Sequence, residues 1–178
     1  MSTTLRDGDP FVGAVNFLID VLETSEYTND PDDAGGETHF GISKRAHPAV
    51  DIRNLTRDRA ISIYHEDYWR PSRCDILPLG LSLQWFAAYV NMRPQSAVRC
   101  LQRAVTRVVV DGVLGPKTIA AVQQFRPQRE LRACFSRECV EHYLAIVRKH
   151  PPQVKYQRGW IGRVCRVADE AGAWGESE

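Results

Sequence analysis

Six acidic residues, Glu23, Glu26, Asp30, Asp32, Asp33 and Glu37, fall in the stretch 23–37, which contains no Lys or Arg. Carboxylates crowded without counter-charge raise one another's pKa, and one held against apolar groups can keep its proton near neutral pH. Hydrolysis of a glycosidic bond asks for such an acid, a second carboxylate or polar group across the scissile bond, and a cleft. Glu23 ends an apolar run, and Asp33 and Thr38 follow on a Gly-rich segment. Helix-terminal glutamates are common, so the pattern alone permits this chemistry without demanding it.

The elements that must position these groups can be read from periodicity. Asp9-Pro10 followed by apolar residues at 11, 14, 15, 18, 19 and 22 predicts an amphipathic helix capped by Asp9 and ending near Glu23. Residues 24–40, with Pro31 and Gly35-Gly36, predict a long loop or short hairpin, and a long loop inside a compact domain is usually functional. Thr56 can cap a helix running to Trp69. Apolar helices are predicted over 81–92 and 96–107. In VVVDGVLGPKT, Asp111-Gly112 and Gly115-Pro116 are turn signals, and Pro116 opens a helix ending near Phe125. Two more helices are expected over 128–149 and 155–171, divided by Pro151-Pro152. Only Val108–Val110 and the 24–40 loop could supply strands, so the fold class is mainly α.

Composition excludes several classes. With 178 residues, 43% hydrophobic and 25% charged, the chain is neither collagenous, wholly disordered nor a small disulfide scaffold. Its most apolar window, 11–22, is cut by Asn16 and Asp20, so no membrane span is expected. Residues 1–9 have no run that reads as a signal-peptide core, so action outside the cytoplasm would need another exit. The five scattered cysteines show no zinc spacing and read as reduced, mostly buried thiols. The acidic run lacks the ligand spacing of a calcium loop and has a Pro within it. The net charge of +1 conceals an asymmetry, because 126–166 carries ten basic residues against three acidic ones. That half suits an anionic polymer, and no nucleic-acid-binding signature accompanies it.

The string EYTNDPDDAGGETHFGIS, followed by NLTRDRAISIYHEDYW, resembles the N-acetylmuramidases of glycoside hydrolase family 108, whose first motif reads roughly E-G-G-Y-x-N-D-P-x-D-x-G-G-x-T-x-x-G-I. The matching positions are Tyr27, Asn29, Asp30, Pro31, Asp33, Gly35, Gly36, Thr38, Gly41 and Ile42. LQRAVTRVVVDGVLGPKTIAAV and YQRGWIGRV look like the peptidoglycan-binding region that usually follows. The resemblance covers about residues 10–170. It implies a lysozyme-like helical fold with a small loop or hairpin after the first helix, divided into a muramidase region, 8–94, and a peptidoglycan-binding region, 95–175, packed as one unit. It also implies cleavage of the β-1,4 bond between N-acetylmuramic acid and N-acetylglucosamine, with no metal and no cofactor. A Glu at the end of the first helix would be the general acid, and Asp33 and Thr38 fall on the positions that stabilise the transition state or place water. The family is typical of phage endolysins, and some members assist secretion through the wall. An endolysin would wait in the host cytoplasm and act in the periplasm or wall. The implied partner is peptidoglycan glycan, without nucleic acid, and the chain is expected to act as a monomer.

Two departures bear on activity. Counting back from Tyr27, the family's Glu falls on Thr24, and a neutral hydroxyl is far too weak an acid to protonate a glycosidic oxygen. Glu23 is adjacent, but one position along a helix turns a side chain by about 100°, so its use requires local unwinding. Glu26, on the loop, is the reserve. In the central helix the family's F-D-x-x-V-N-x-G reads Phe86-Ala87-Ala88-Tyr89-Val90-Asn91-Met92-Arg93, with Ala87 for Asp and Arg93 for Gly. Two readings therefore stand: a muramidase whose acid is Glu23 or Glu26, and a degenerate relative that binds peptidoglycan without cutting it. Thr24, His39, Tyr68, Asn91 and Trp160 are the candidate sugar contacts. Against that, a loop His is usually solvated, Tyr64, Tyr68 and Trp69 at helical spacing usually pack a core, and Trp160 is as suited to helix packing as to stacking on a sugar.

Overall fold

The computed structural model describes residues 9–23, 25–29 and 35–175. Thr24 and the segment 30–34, which includes Asp33, lie outside the described residues. The chain divides into two compact units, 1–71 and 72–178.

In the first unit, α1 (Pro10–Phe17) starts where expected: the Asp9 carboxylate accepts the Phe11 amide at 2.9 Å and Pro10 occupies the first turn. Phe11, Ala14, Val15, Leu18 and Ile19 form its fully buried stripe. The helix then changes character, and Leu18–Leu22 form a π turn. A hairpin follows, with β1 (Thr38–His39) antiparallel to β2 (Ile42–Ser43) and His39 opposite Ile42. Helix α2 (Arg57–Ile63) is capped by the Thr56 side chain, which accepts from the Arg59 amide at 3.3 Å. It too runs into a π turn, Tyr64–Trp69. Phe11 packs at 4.8 Å from the His65 ring and 5.4 Å from Trp69, joining α1 to the second π turn. Across the same pair of helices Arg57 clamps Asp20 through two bonds of 2.6 and 2.9 Å. A short helix, α3 (Arg70–Ser72), ends this stretch of the chain.

The second unit is built of long helices: α4 (Leu79–Asn91), α5 (Pro94–Val105), α6 (Pro116–Gln124), α7 (Gln128–Lys149) and α8 (Val154–Gly175). Gly80 through Ala88 are all buried, as a helix surrounded on every side requires. α4 packs chiefly on α8 and α7, and α5 packs on α7. Gly80 permits the close approach of α8, since a Cβ there would sit 2.6 Å from the Ala171 carbonyl. α7 buries Leu131, Phe135, Cys139 and Tyr143, one per turn.

Mainly α is the observed class, with the small hairpin after the first helix. The expectation for Val108–Val110 needs correction. These residues form no strand: they run through an exposed loop, Val109 being 77% exposed. All five cysteines are free: Cys74, Cys100 and Cys139 are buried, Cys134 is half-buried and Cys165 is exposed. No described helix is long and apolar enough to cross a membrane.

Candidate active site

Three pieces of the first unit converge on one glycine. The π turn closes with the Glu23 amide donating to the Leu18 carbonyl at 2.9 Å, one residue further back than an α-helix would reach. Glu23 itself is extended, with φ −101° and ψ 168°. Its backbone thus leaves helical geometry at the point where the acid must be redirected. A Cβ built on Gly41 would lie 2.5 Å from Glu23 Cγ and 2.8 Å from its carboxyl carbon, so the Glu23 side chain rests directly on the Gly41 backbone. The same point is 2.6 Å from the Tyr64 hydroxyl. Only glycine fits there, both for space and for its φ of +74°.

The turn carrying Gly41 is itself unusual. Phe40 and Gly41 are the two central residues of a tight hairpin and both have positive φ, 51° and 74°, the pattern of a type I′ turn. Phenylalanine in that conformation is strained, and such strain persists only where the surroundings over-determine it. Two contacts do so: the Tyr64 hydroxyl donates to the Phe40 carbonyl at 2.9 Å, and the Phe40 ring stacks on His39 at 4.1 Å. Tyr64 is fully buried at the start of the second π turn, so this donor is rigid. The outcome is a half-buried carboxyl beside a phenol on a stiff turn, an arrangement able to present an acid to a substrate oxygen.

Thr38 lies in the same hairpin, paired through its backbone with Ser43 on one side and bridged to Thr28 on the other. Its hydroxyl donates to the Gly36 carbonyl at 3.2 Å. His39 is not merely solvated: a ring nitrogen lies 3.2 Å from the Ile52 carbonyl and the ring meets Tyr27 edge-on. Tyr27 donates to Glu37 at 3.0 Å beneath the Arg53 guanidinium. Tyr68 is half-buried 5.7 Å from Tyr64, with its hydroxyl 3.1 Å from His47, and burial raises its pKa. Tyr64 and Trp69 are buried, Trp69 against Phe11. Glu26 is exposed on the loop. The hairpin and Glu23 are therefore brought together, whereas Thr24 and Asp33 fall outside the described residues.

The other candidates belong to the second unit. The Asn91 amide donates to the Tyr143 hydroxyl at 2.5 Å, and the Tyr143 ring stacks on Trp160 at 5.1 Å and 20°. Asn91 and Trp160 line one groove of about 450 Å³ with Arg93, His142 and His150. Burial pushes the Tyr143 phenol up to about 12 against the opposing pull of Asn91, and burial, then Arg103 and Lys149, pushes the His142 imidazole down. Ala87 is buried in α4.

Sequence reasoning missed Tyr64 as more than core, and missed Gly41 and Phe40 as parts of the site. The available signal was His-Phe-Gly-Ile, a glycine between apolar residues just after the polar loop. Among the described residues no group of three or more His, Cys, Asp or Glu could hold a metal ion.

A mainly helical chain whose first helix delivers a carboxylate to a small hairpin has the layout of a lysozyme-like glycosidase. Residues 21–92 match the model of the glycosyl hydrolase 108 family, and residues 96–165 match a second model, a predicted peptidoglycan domain. The chain is similar to the structure of Brucella abortus SagA, with a TM-score of 0.78 and 27% identity over 96% of this chain and 97% of that one. No curated protein matches it significantly. The second match supports peptidoglycan as the partner polymer, and the first likens residues 21–92 to glycosyl hydrolases.

Proposed function

We propose that the protein is a peptidoglycan N-acetylmuramidase that hydrolyses the β-1,4 bond between N-acetylmuramic acid and N-acetylglucosamine, with Glu23 as general acid. The observation that carries the reading is the seating of Glu23 on Gly41 beside the Tyr64 hydroxyl. Glu23 protonates the leaving oxygen, and Asp33 and Thr38 stabilise the sugar cation or place the water. Glu26, exposed on the loop, is the reserve acid. Residues 8–94 carry the chemistry. Residues 95–175 hold the polymer, and the Asn91–Trp160 groove, to which the end of 8–94 contributes Asn91, is a sugar contact, because an aromatic face with an adjacent amide suits a pyranose ring. The Tyr27–His39 pair flanks the hairpin as a further contact. In this reading the protein is a monomeric lytic enzyme of endolysin type, released from the host cytoplasm to act on the wall.

The test is release of reducing sugar from purified peptidoglycan. Glu23→Gln should lower the rate by about 10²–10⁴-fold, the usual contribution of a positioned general acid, with helix content unchanged. Full activity in Glu23→Gln that disappears in Glu26→Gln would move the acid to the reserve position. Wild-type protein that sediments with peptidoglycan yet releases no sugar would establish the degenerate, non-cleaving relative, the reading that Ala87 in place of Asp favours.

A further inference from the structure

The loop 106–115 of the second unit combines a rigid backbone with an apolar exposed face. Gln102, 1% exposed on α5, donates to Asp111 Oδ1 at 2.8 Å and to the Val113 carbonyl at 3.1 Å, and its carbonyl accepts the Gly112 amide at 2.9 Å. Asp111 also accepts the Val113 amide at 2.8 Å, so its carboxylate is turned into the loop. On this frame Val113 is 63% exposed, and Val109, two residues before Asp111, is 77% exposed. Apolar side chains held in water by an ordered scaffold mark an interaction surface.

Beside Val109 a groove of about 870 Å³ opens between the loop and α6, floored by Ala120, Ala121 and Phe125. Arg107, Lys117 and Arg126 stand around it, and no Asp or Glu lines it. Arg107 and Lys117 make no ion pair among the described residues. Arg126 donates to the Gln123 and Phe125 carbonyls, which leaves its charge uncompensated. The occupant must therefore carry several negative charges together with small apolar groups. Sugars are a poor match, since the groove has neither Trp nor Tyr to stack on a ring and, beside a single amide, Gln124, its polar lining is mostly cationic. The peptide stem of peptidoglycan is a good one, because it alternates alanine methyls with free carboxylates. A wall polyol phosphate supplies the charge but nothing to cover the valines.

We propose that this groove binds the peptide stem of peptidoglycan, so that the second unit recognises the peptide as well as the sugar. The proposal rests on peptidoglycan being the ligand, as above. Arg107 and Lys117 pair with the stem carboxylates, and Val109 and the alanine floor cover its methyls.

The test uses the full chain and three probes: sacculi freed of secondary wall polymers, glycan strands stripped of stems by an amidase, and the soluble tripeptide L-alanyl-γ-D-glutamyl-diaminopimelate. Wild type should bind intact sacculi about tenfold more tightly than stripped strands, as paired rim charges allow. Arg107→Glu with Lys117→Glu should abolish that margin and leave stripped-strand binding unchanged, which also reports that the variant is folded. The tripeptide should shift the Val109 methyl resonances, and Val109→Ser should weaken it. Equal binding to intact and stripped glycan, or a tripeptide that shifts nothing, overturns the stem proposal alone. Binding only to walls that retain polyol phosphate also overturns it. Wild type that binds neither sacculi nor strands overturns the peptidoglycan reading with it.

Discussion

Two glycines, one in each unit, sit in opposite surroundings. In the first, Gly41 sits at φ +74° with Glu23 and Tyr64 pressed against the space a side chain would need. In the second, Gly159 lies within the long helix α8 with nothing within 4 Å of a Cβ built there. The contrast extends to the surrounding backbone. The first unit ends two of its helices in π turns and holds a phenylalanine in the left-handed region, whereas α4, α7 and α8 are regular over 13 to 22 residues. Irregular backbone is costly, and it survives where neighbours enforce it and where it aims a group that chemistry needs. The difference teaches that the first unit is shaped by its carboxylate and the second by its packing.

The largest expected effect comes from forcing the first unit toward the rules of the second. Gly41→Ala adds a methyl at 2.5 Å from Glu23 Cγ in a conformation that alanine resists. The combined strain and overpacking should cost about 2–4 kcal/mol. Displacing Glu23 by even 1 Å should lower sugar release by about 10²-fold or more. Thermal unfolding followed by circular dichroism, together with reducing-sugar release, checks both parts. An active, undiminished Gly41→Ala would mean that the turn does not position the acid.

The opposite outcome is expected for the same substitution in the second unit. Gly159→Ala meets open space and removes backbone freedom from the unfolded chain, so it should stabilise by about 0.5–1 kcal/mol. In a protein of this size that is a rise in Tm of about 1–4 °C. A fall would show that α8 is not the regular helix that distinguishes the two units.

Legibility in the sequence follows the same division. Asp9 and Thr56 cap helices because short polar side chains before apolar periodicity act locally, and the helix expected over about 128–149 was legible because Pro151-Pro152 ends it. The convergence at Gly41 was only half legible. The need for Glu23 to leave helical geometry followed from its one-residue offset from Thr24, but nothing in the sequence announced the π turn, in which Leu18 and Ile19 are buried. The Phe40 turn carries no Asn-Gly signal, because a buried tyrosine hydroxyl from another element enforces it. In the second unit Val108–Val110 could have supplied a strand by composition, but they lie in a loop whose next residues, Asp111 and Gly112, are bonded to the buried Gln102 side chain. Propensity is a property of neighbours in sequence, and each of these misses was settled by a neighbour in space.

The smallest effect concerns the charge that ties α1 to α2. Arg57, hydrogen-bonded to Asp20, holds that carboxyl below its ordinary value. A carboxyl with a lowered pKa in the folded state contributes stability above its unfolded value, near 3.9, and loses that contribution as pH falls through the folded one. Both partners are well exposed, at 51% and 37%, so solvent screening limits the gain to under about 1 kcal/mol. Wild type should therefore be slightly more stable than Asp20→Asn at pH 6, and the two should converge as pH falls through the lowered folded-state value. The gap should also shrink in molar salt, as expected for exposed charges. Since α1 ends in the π turn that delivers Glu23, a sugar-release profile in which Asp20→Asn weakens activity more than stability would place this surface pair among the groups that aim the acid. Equal small losses in both would confine it to holding the two helices together.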